Sequence, residues 1–470
     1  MIIKYFFIFL LLFSCNYSAD INAQADIKTR DLVTGLDTPW EILWGPDGFI
    51  WMTERYGRVS RVNPATGEVI EILRIQEVLE DGERGLMGMV LHPRFFSSVP
   101  EMPAYPYVYL VYNYGSKDNT KVKVVRFTYS NNKLESPVEL IKDIPGAWNH
   151  DGSRMWIDPN DWTLYLTMGD AAVQDRAQNL SSLNGKILRM NLDGTIPPDN
   201  PYPNSYVWSW GHRNPQGFVF ANGKIYSSEH GPDTDDELNI IYKGRNYGWP
   251  NVRGYCDSPN EQAFCESNKV VEPIAAWTPT IATAGIDFYN HNLISEWKNS
   301  ILLVALKGSM LVQLKLNETG DDVVTQTNYF SGKFGRLRDI CISPDGKVYI
   351  ATSNKDGRGN PSAVDDRIIE ITPTALKKND EKDEIEEIEF YPNPFSDKIN
   401  FNLNDYNNNC TVNILDIFGN KVRELSINND RKIIWDGRDI NGNHVNNGFY
   451  FVRFFSSIGP HIIKVIKSGM

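Results

Sequence analysis

The sequence predicts an all-β protein in which a six-bladed β-propeller precedes a small antiparallel β-sandwich. Three observations lead to this prediction. Aromatic residues, which favour strands, make up 12% of the 470 residues. A turn, an apolar strand, a short connection and a second strand recur six times along the chain. No long window keeps the apolar stripe of an amphipathic helix.

The six strand pairs begin about 45–80 residues apart, which is close to the period of propeller blades. Their turns have suitable chemistry, as in Pro46-Asp47-Gly48 and Pro344-Asp345-Gly346. Packing four-stranded sheets radially buries both faces of each sheet, which favours a propeller over the alternative of two β-sandwiches. The predicted pairs are Gly48–Val62, Tyr107–Phe127, Thr163–Asn191, Gly223–Ile241, Ser300–Leu316 and Gly346–Ile371.

The first residues have the order of a secretory signal peptide. Lys4 precedes an apolar run from Tyr5 to Phe13, and small or polar residues follow up to Gln24. We therefore expect residues 1–24 to be a signal peptide and the protein to be exported. The run is too short to span a bilayer, and we expect no transmembrane segment in the mature chain. A lipoprotein anchored at Cys15 is the alternative.

The cysteines and the net charge limit the possible partners. Cys256 and Cys265 lie nine residues apart in a polar segment, where export permits a disulfide, and Cys341 lies in an apolar run that predicts a buried thiol. No cysteine or histidine spacing suggests zinc. With 47 basic and 59 acidic residues the formal net charge is −12, which argues against nucleic acid as a partner.

The composition changes after the predicted propeller, which spans residues 27–375. Residues 376–389 are highly charged, as is typical of a solvated linker. Residues 390–470 return to strands and turns and predict an immunoglobulin-like sandwich. This tail resembles a type A sorting domain of type IX secretion in its segments 390–395 (FYPNPF) and 417–419 (IFG). The resemblance implies passage through the outer membrane and an encounter with the type IX machinery, whereas a binding module is the alternative.

The densest group of polar residues lies between Trp148 and Trp249, at predicted strand ends where propeller loops converge on the central channel. Within it, His150 is the candidate general base, because imidazole titrates near neutral pH and Gly152 lets the backbone present the ring at an open mouth. The alternative for such a histidine is a surface position in a turn.

Cationic side chains form the second candidate group. Arg336 and Arg338 are two residues apart, which places both side chains on one face of a strand, and Lys307 follows an apolar strand. Two guanidinium groups on one face repel, so we expect an anion or carboxylate between them, unless Asp339 or another acid pairs with them.

The segment from Gly231 to Glu237 contains four carboxylates after a Gly-Pro pair. Carboxylates and exposed backbone carbonyls are the ligands that Ca²⁺ prefers, although a solvated acidic turn has the same composition.

From about Asp31 to Pro373, these motifs resemble the soluble quinoprotein glucose and aldose sugar dehydrogenase family. The strongest markers are GLMGM at 85–89, GHRNPQG at 211–217 and NYGWP at 246–250. Members are six-bladed propellers that use pyrroloquinoline quinone (PQQ). The resemblance implies oxidation of an aldose from its C1 hydroxyl to a lactone, with hydride transfer to PQQ and electrons leaving to an unidentified acceptor.

The resemblance also implies roles for individual residues. His150 takes the proton of the C1 hydroxyl, and Arg213 and Asn214 contact the quinone. Trp277 lines the sugar pocket, although a core tryptophan is the alternative. The positions implied to bind the three carboxylates of PQQ are Lys307, Arg336 and Arg338. The positions implied to bind calcium are Gly231 and Pro232 at the cofactor, and Glu237 and Tyr247 at a second site.

Two residues depart from the pattern of the glucose enzymes. Glu83 stands where those enzymes have a glutamine near cofactor and substrate, and Asn149 replaces the acid beside the base. Loss of that acid should lower the basicity of His150. Both departures favour a broad range of aldoses, or another alcohol, over strict glucose specificity.

Two other functions fit the same scaffold. One is a carbohydrate-binding or adhesion propeller without a quinone. The other is a calcium-dependent lactonase-type hydrolase, which would need carboxylates around a metal in the channel. The candidates for that cluster are Asp151, Asp170 and Glu229.

Overall fold

The computed structural model describes residues 24–96, 104–159, 161–375, 389–402, 411–416, 421–426, 432–456 and 459–468. The described residues up to 375 belong to one compact unit, and those from 389 onward belong to a second. The predicted signal peptide and linker lie outside the described residues, except for their end residues Gln24 and Glu389. Among the described residues, no helix has both the length and the apolar character needed to cross a membrane.

The first unit consists almost entirely of strands. Its described residues also form the α-helix α1 (Pro259–Asn268) and short 3₁₀ turns at Gln174–Gln178 and Ser295–Trp297. The strands are β1 (Ile27–Val33), β2 (Pro39–Trp44), β3 (Ile50–Glu54), β4 (Arg58–Val62), β5 (Val69–Arg74), β6 (Leu86–Leu91), β7 (Tyr107–Ser116), β8 (Asn119–Ser130), β9 (Lys133–Pro145), β10 (Met155–Ile157), β11 (Thr163–Met168), β12 (Lys186–Asn191), β13 (Val207–Trp210), β14 (Pro215–Ala221), β15 (Lys224–Glu229), β16 (Asp236–Ile241), β17 (Ala275–Trp277), β18 (Thr283–Tyr289), β19 (Ser300–Ala305), β20 (Met310–Leu316), β21 (Val323–Tyr329), β22 (Leu337–Ile342), β23 (Val348–Thr352) and β24 (Ile368–Pro373).

These described strands form six antiparallel sheets of four strands each. Five sheets use consecutive strands, namely β2–β5, β6–β9, β10–β13, β14–β17 and β18–β21. The sixth has the order β1-β24-β23-β22, so the first strand of the unit pairs with the last. Ile27 lies opposite Pro373 at one end of this pairing, and Val33 lies opposite Ile368 at the other.

Each strand pair predicted from the sequence coincides with the two central strands of one sheet. The clearest case is the segment Ser300–Leu316, which contains β19 and β20. The all-β class and the six repeated strand pairs are therefore confirmed. The strands that sequence reasoning passed over are mostly the first and fourth of each sheet.

Strand β19 explains why the central strands are so apolar. All six of its residues are buried. Ile301 and Leu303 pack in an apolar cluster with Leu238 of β16, while Leu302 and Val304 pack in another cluster on the opposite face. Because successive side chains of a strand point to opposite faces, a strand covered on both sides must be apolar throughout.

The described residues of the second unit form two antiparallel sheets that share one core. Its described strands are β25 (Glu389–Tyr391), β26 (Ile399–Asn402), β27 (Thr411–Leu415), β28 (Lys421–Ser426), β29 (Lys432–Trp435), β30 (Gly448–Ser456) and β31 (Gly459–Lys467). The sheet orders are β25-β26-β29 and β28-β27-β30-β31. Trp435 is completely buried in the shared core, where its ring contacts Phe395 and Tyr450. The all-β character of this region is confirmed, and its immunoglobulin-like fold stays a prediction.

Candidate functional site

A cavity of about 640 Å³ brings together most of the predicted site residues. We call it the main cavity. Its predicted members are Glu83, Asn149, His150, Arg213, Gly231, Pro232, Lys307, Arg336 and Arg338. Four of the loops that supply them lead into β6, β10, β14 and β22, each of which is an edge strand of its sheet. Residues distant in sequence therefore meet where equivalent loops of several sheets converge.

His150 is held by a carboxylate behind its ring. Its Nδ1 lies 2.9 Å from Asp170 Oδ1, and the side chain of Asp170 is only 1% exposed. The other carboxylate oxygen of Asp170 accepts a hydrogen bond from Trp249 Nε1 at 2.9 Å. A carboxylate at Nδ1 selects the tautomer that carries its proton there, which leaves Nε2 free to accept a proton.

The backbone conformation of His150 is also fixed by its neighbours. His150 has a φ of +61°, and its carbonyl accepts a hydrogen bond from the amide of Ala171 at 3.0 Å. A Cβ atom at Gly169 would lie 2.0 Å from that carbonyl oxygen. Residue 169 must therefore be glycine for the loop to hold the imidazole in this position.

The three acids considered for a hydrolytic metal site have separate partners. Asp170 holds His150, Glu229 accepts from His212 Nδ1 at 3.0 Å, and Asp151 accepts from Asn113 Nδ2 at 2.7 Å. Burial raises the pKa of Asp151 to about 7. In the described parts of the chain, no group of three or more histidine, cysteine or acidic residues is arranged to hold a metal ion. The carboxylate cluster that a lactonase would need is not formed there.

The predicted cations differ in their local partners. Arg336 forms an ion pair with Asp356 at 2.8 Å, whereas Arg338 Nη1 donates to the neutral side chain of Gln216 at 2.9 Å. The Nε of Arg338 is buried without a hydrogen-bond partner among the described residues, and burial lowers the pKa of Arg338 to about 10. Lys307 Nζ donates to Thr280 Oγ1 at 3.0 Å. The side-chain hydrogen bonds of Arg338 and Lys307 thus go to uncharged groups.

Asp339 does not neutralise this pair of arginines, although its position in the sequence allowed that expectation. Its carboxylate lies 2.9 Å from Arg154, which also pairs with Glu41. Of the two arginines, Arg336 is the one that forms an ion pair with another acid among the described residues, namely Asp356.

Arg213 lies between the base and the acidic segment. Its Nη1 donates to the carbonyl of His230 at 3.1 Å, and its guanidinium lies 5.3 Å from the centre of the Trp249 ring. Its Nε is buried and has no hydrogen-bond partner in the described structure. Burial, followed by the positive charges of Arg213 and Arg338, lowers the pKa of His230, the second imidazole of the main cavity.

The contact of Asn214 with the quinone stays a prediction. Asn214 is completely buried and is not among the residues that line the main cavity. Its Oδ1 accepts hydrogen bonds from the amide of Gly152 and from Gln216 Nε2, both at 3.1 Å. Asn214 therefore holds the loop that carries His150, while its Nδ2 is buried with no hydrogen-bond partner among the described residues. Asn149 does line the cavity.

Trp277 is a core residue, which was the alternative to its assignment to the sugar pocket. It is only 9% exposed and packs in the apolar cluster that contains Ile286 and Ile301. Its Nε1 donates to Gln326 at 3.0 Å. The tryptophan at the main cavity is Trp148, which is 53% exposed. Its position two residues before His150 was the sequence signal that could have identified it.

The remaining predicted calcium ligands line a second, smaller cavity, which we call the acidic cavity. It includes Gly231, Pro232, Glu229, Glu237 and Tyr247. The Glu237 carboxylate accepts from the amide of Gly254 at 2.9 Å and from Asn239 Nδ2 at 2.8 Å. Burial, and then the negative charge of Glu229, raises the pKa of Glu237 to about 8. The hydroxyl of Tyr247 donates to the carbonyl of Ile240. The Tyr247 oxygen that could bind a cation is therefore the backbone carbonyl of Tyr247.

A disulfide lies next to the acidic cavity. Cys256 and Cys265 are bonded, with their Cα atoms 6.5 Å apart, which answers a question that the sequence left open. The bond joins the segment before helix α1 to the helix itself, within the connection between β16 and β17. The N-terminus of α1 has a capping box formed by Ser258 and Glu261. The same connection also supplies the amide of Gly254 that binds Glu237. Cys341 is a buried free thiol, as predicted.

Comparisons with known proteins agree with this arrangement of motifs. Residues 36–363 match the family model described as glucose / sorbosone dehydrogenase, and residues 389–468 match the secretion system C-terminal sorting domain. The chain is 33% identical to an uncharacterised protein of Synechocystis, with 71% of this chain and 86% of that protein covered. It is 32% identical to quinoprotein glucose dehydrogenase B of Acinetobacter calcoaceticus, with 70% and 85% covered.

Solved structures give the same result. The PQQ-bound aldose sugar dehydrogenase of Streptomyces coelicolor aligns with a TM-score of 0.64 and 32% identity, over 74% of this chain and 98% of that one. The apo form of the soluble aldose sugar dehydrogenase of Escherichia coli aligns with a TM-score of 0.63 and 26% identity, over 74% and 99%.

Proposed function

The chain belongs to the glucose and sorbosone dehydrogenase family, and we propose that it is an exported quinoprotein that oxidises an aldose from its C1 hydroxyl to a lactone. The observation that carries this proposal is the meeting of His150 and four cationic side chains around one cavity. The six four-stranded sheets are proposed to be six propeller blades, and the tail an immunoglobulin-like sandwich. The C-terminal sorting domain supports secretion by the type IX system.

The charge of the main cavity suits PQQ, which carries three carboxylates. Seven cationic and three acidic side chains line the cavity, an excess of four positive charges. The buried Nε atoms of Arg213 and Arg338 have no hydrogen-bond partner among the described residues, so they are available to an anionic ligand. We propose that Arg213, Lys307, Arg336 and Arg338 hold the cofactor. When bound, PQQ would supply the acceptor for a hydride, which is chemistry that side chains do not provide.

The proposed base is His150. With the Nδ1 proton directed at Asp170, Nε2 is the atom that would take the proton of the C1 hydroxyl. The guanidinium of Arg213 would stabilise negative charge that develops during the reaction. Asn149 and Trp148 are proposed to contact the sugar, and Asn214 to act indirectly through the loop that it holds.

Calcium is proposed for the acidic segment. The backbone carbonyls of Gly231 and Pro232 would bind the cofactor calcium, and Glu237 with the Tyr247 carbonyl would bind a second ion. The donor set fits a hard cation, because it consists of carboxylate and carbonyl oxygens. A cation would also offset the unfavourable burial of Glu237 beside Glu229.

The test is reconstitution of the purified protein with PQQ and Ca²⁺, followed by dye reduction with several aldoses. We expect turnover in the wild type. We expect His150→Ala to lose turnover by a factor of about 10²–10⁴, the usual contribution of a general base, while its absorbance spectrum still shows bound PQQ. Glycan binding without a quinone spectrum would instead support an adhesion protein. Wild-type activity in the His150→Ala variant would contradict the assignment of the base.

A further inference from the structure

We propose that the aldose carries a carboxylate, as in a hexuronic acid, and that Arg358 and Lys355 at the mouth of the main cavity recognise it. This inference rests on the proposed oxidation of an aldose and specifies its substrate class. Both side chains belong to the connection between β23 and β24, and both are exposed to solvent. Residues 355–358 are called the rim segment below.

The rim segment supplies positive charge beyond what is assigned to the cofactor. Lys355 Nζ donates to the backbone carbonyl of Leu36 at 2.7 Å, and within the described ranges no carboxylate pairs with it. Arg358 pairs with one acid, Glu83, at 3.1 Å. Asp356 of the same segment already pairs with Arg336. Two cations therefore share one available carboxylate, which leaves the mouth positive.

Contacts of Glu83 connect Arg358 to the candidate base. The second carboxylate oxygen of Glu83 accepts from the backbone amide of His150 at 3.4 Å, while its own backbone amide donates to the carbonyl of Trp148 at 2.8 Å. Glu83 thus contacts both the guanidinium of Arg358 and the backbone of His150, the residue that would bind the C1 hydroxyl. A sugar with C1 at His150 would extend its far end toward the mouth, where a carboxylate could bind Arg358.

Trp148 completes this part of the cavity. Its indole is 53% exposed beside Glu83 and offers a flat apolar face to a pyranose ring. A neutral aldose would use this face but would make no charged contact with Arg358 or Lys355. An acidic aldose would use both features, because a carboxylate can form two parallel hydrogen bonds with a guanidinium group.

The proposed reaction is the same for neutral and acidic sugars. C1 would lose its hydrogen with the bonding electron pair, for which bound PQQ would supply the acceptor, and the C1 hydroxyl would lose its proton to His150. The product is a lactone that retains the carboxylate. The carboxylate contributes to binding and orientation and takes no part in the chemical step.

The experiment compares kcat/KM for galacturonate with galactose, and for glucuronate with glucose, in enzyme loaded with PQQ and Ca²⁺. We expect the wild type to prefer each acid. Arg358→Gln should lower kcat/KM for the acids about tenfold, which is the usual effect of one charged hydrogen bond, and change the neutral sugars less than about twofold. Arg30→Gln is the matched control, because Arg30 is a similarly exposed arginine paired with Glu370 at 3.1 Å. The preference should also weaken as ionic strength rises.

A second readout does not depend on turnover. Calorimetric titration of galacturonate into PQQ-loaded His150→Ala should give a Kd about tenfold lower than in the double variant that also carries Arg358→Gln. Equal kcat/KM for acidic and neutral sugars, or an equal loss of both in Arg358→Gln, would overturn the acidic substrate while aldose oxidation stands. No turnover of any sugar would reject the proposed function, and the calorimetry would still decide whether Arg358 binds a carboxylate.

Discussion

At the scale of single residues, Asp170 determines what His150 can do. One of its oxygens accepts from His150 and from the amide of Ala172, and the other accepts from Trp249. All these groups are donors, so the site requires two acceptor oxygens at position 170. An amide side chain offers only one.

We therefore expect Asp170→Asn to lower kcat about a hundredfold or more, because the amide would present N–H to His150 and shift its proton to Nε2. The KM for the sugar and the affinity for PQQ should change little, since Asp170 contacts neither in the proposed arrangement. Steady-state kinetics and PQQ titration measure the two effects separately. Exposed Asp175→Asn is the control, and an increase in KM at constant kcat would contradict this role.

A second residue prediction concerns pH and Asp151, whose carboxyl has a pKa raised by burial to about 7. Between about pH 4 and pH 7 the unfolded chain ionises this carboxyl while the folded chain keeps its proton, so stability falls as pH rises through that range. Asp151→Asn should remove this contribution. The melting temperature of the variant, relative to that of the wild type, should therefore rise between pH 4 and pH 7. A difference that is constant across this range would contradict the assignment.

Local sequence predicted some of these residues better than others. His150, Arg213, Lys307, Arg336 and Arg338 lie together around the main cavity, and each belongs to a segment that was recognisable in the sequence. The burial of Asn214 and Trp277 could not be predicted in this way, because burial depends on which sheet packs against each side chain. The partnership of His150 with Asp170 joins two loops that are twenty residues apart, and no local spacing encodes it.

At the scale of elements, the central strands were predictable because they are buried on both faces. β19 and β23 are buried along their whole length, and such continuous apolar runs stand out in a sequence. The outer strands β9 and β21 are largely exposed and polar, so their patterns resemble loops. The edge strands β6 and β22 contain glycine or charged residues, which interrupts the apolar run that identifies a strand in the sequence.

The disulfide-bonded loop gives a prediction at this scale. Closing a loop of this length stabilises the folded state by about 2–3 kcal/mol in the chain-entropy model. The double variant Cys256→Ser, Cys265→Ser should unfold at a lower temperature, and Ca²⁺ should protect it less, because the same loop positions Gly254 against Glu237. Thermal unfolding with and without Ca²⁺ measures both effects. A reductant should reproduce the loss in the wild type and leave the variant unchanged.

At the scale of the whole molecule, the described residues form two units with separate apolar cores. The core of the tail consists of residues from Phe395 to Val465, and the six other clusters contain only residues of the first unit. Each unit therefore has a core of its own, which is the property of an independently folding domain. The change of composition after residue 375 marked this division in the sequence.

From this separation we expect a protein that ends at residue 375 to keep the melting temperature of the first unit and its PQQ affinity. The same truncation should abolish secretion by a type IX-competent host, since it removes the sorting domain. Calorimetry and cell fractionation test the two expectations. A large loss of thermal stability in the truncated protein would show that the first unit depends on the tail.

The pairing of β1 with β24 has a consequence for the order of assembly. During synthesis, the segment that supplies β1 leaves the ribosome more than three hundred residues before its partner hairpin. Until then it lacks its hydrogen-bonded partner strand, and the sheet that joins the two ends of the unit is incomplete. Completion of this sheet therefore requires the last strand of the first unit, and a polypeptide that ends before β24 would expose an edge that invites association with other chains.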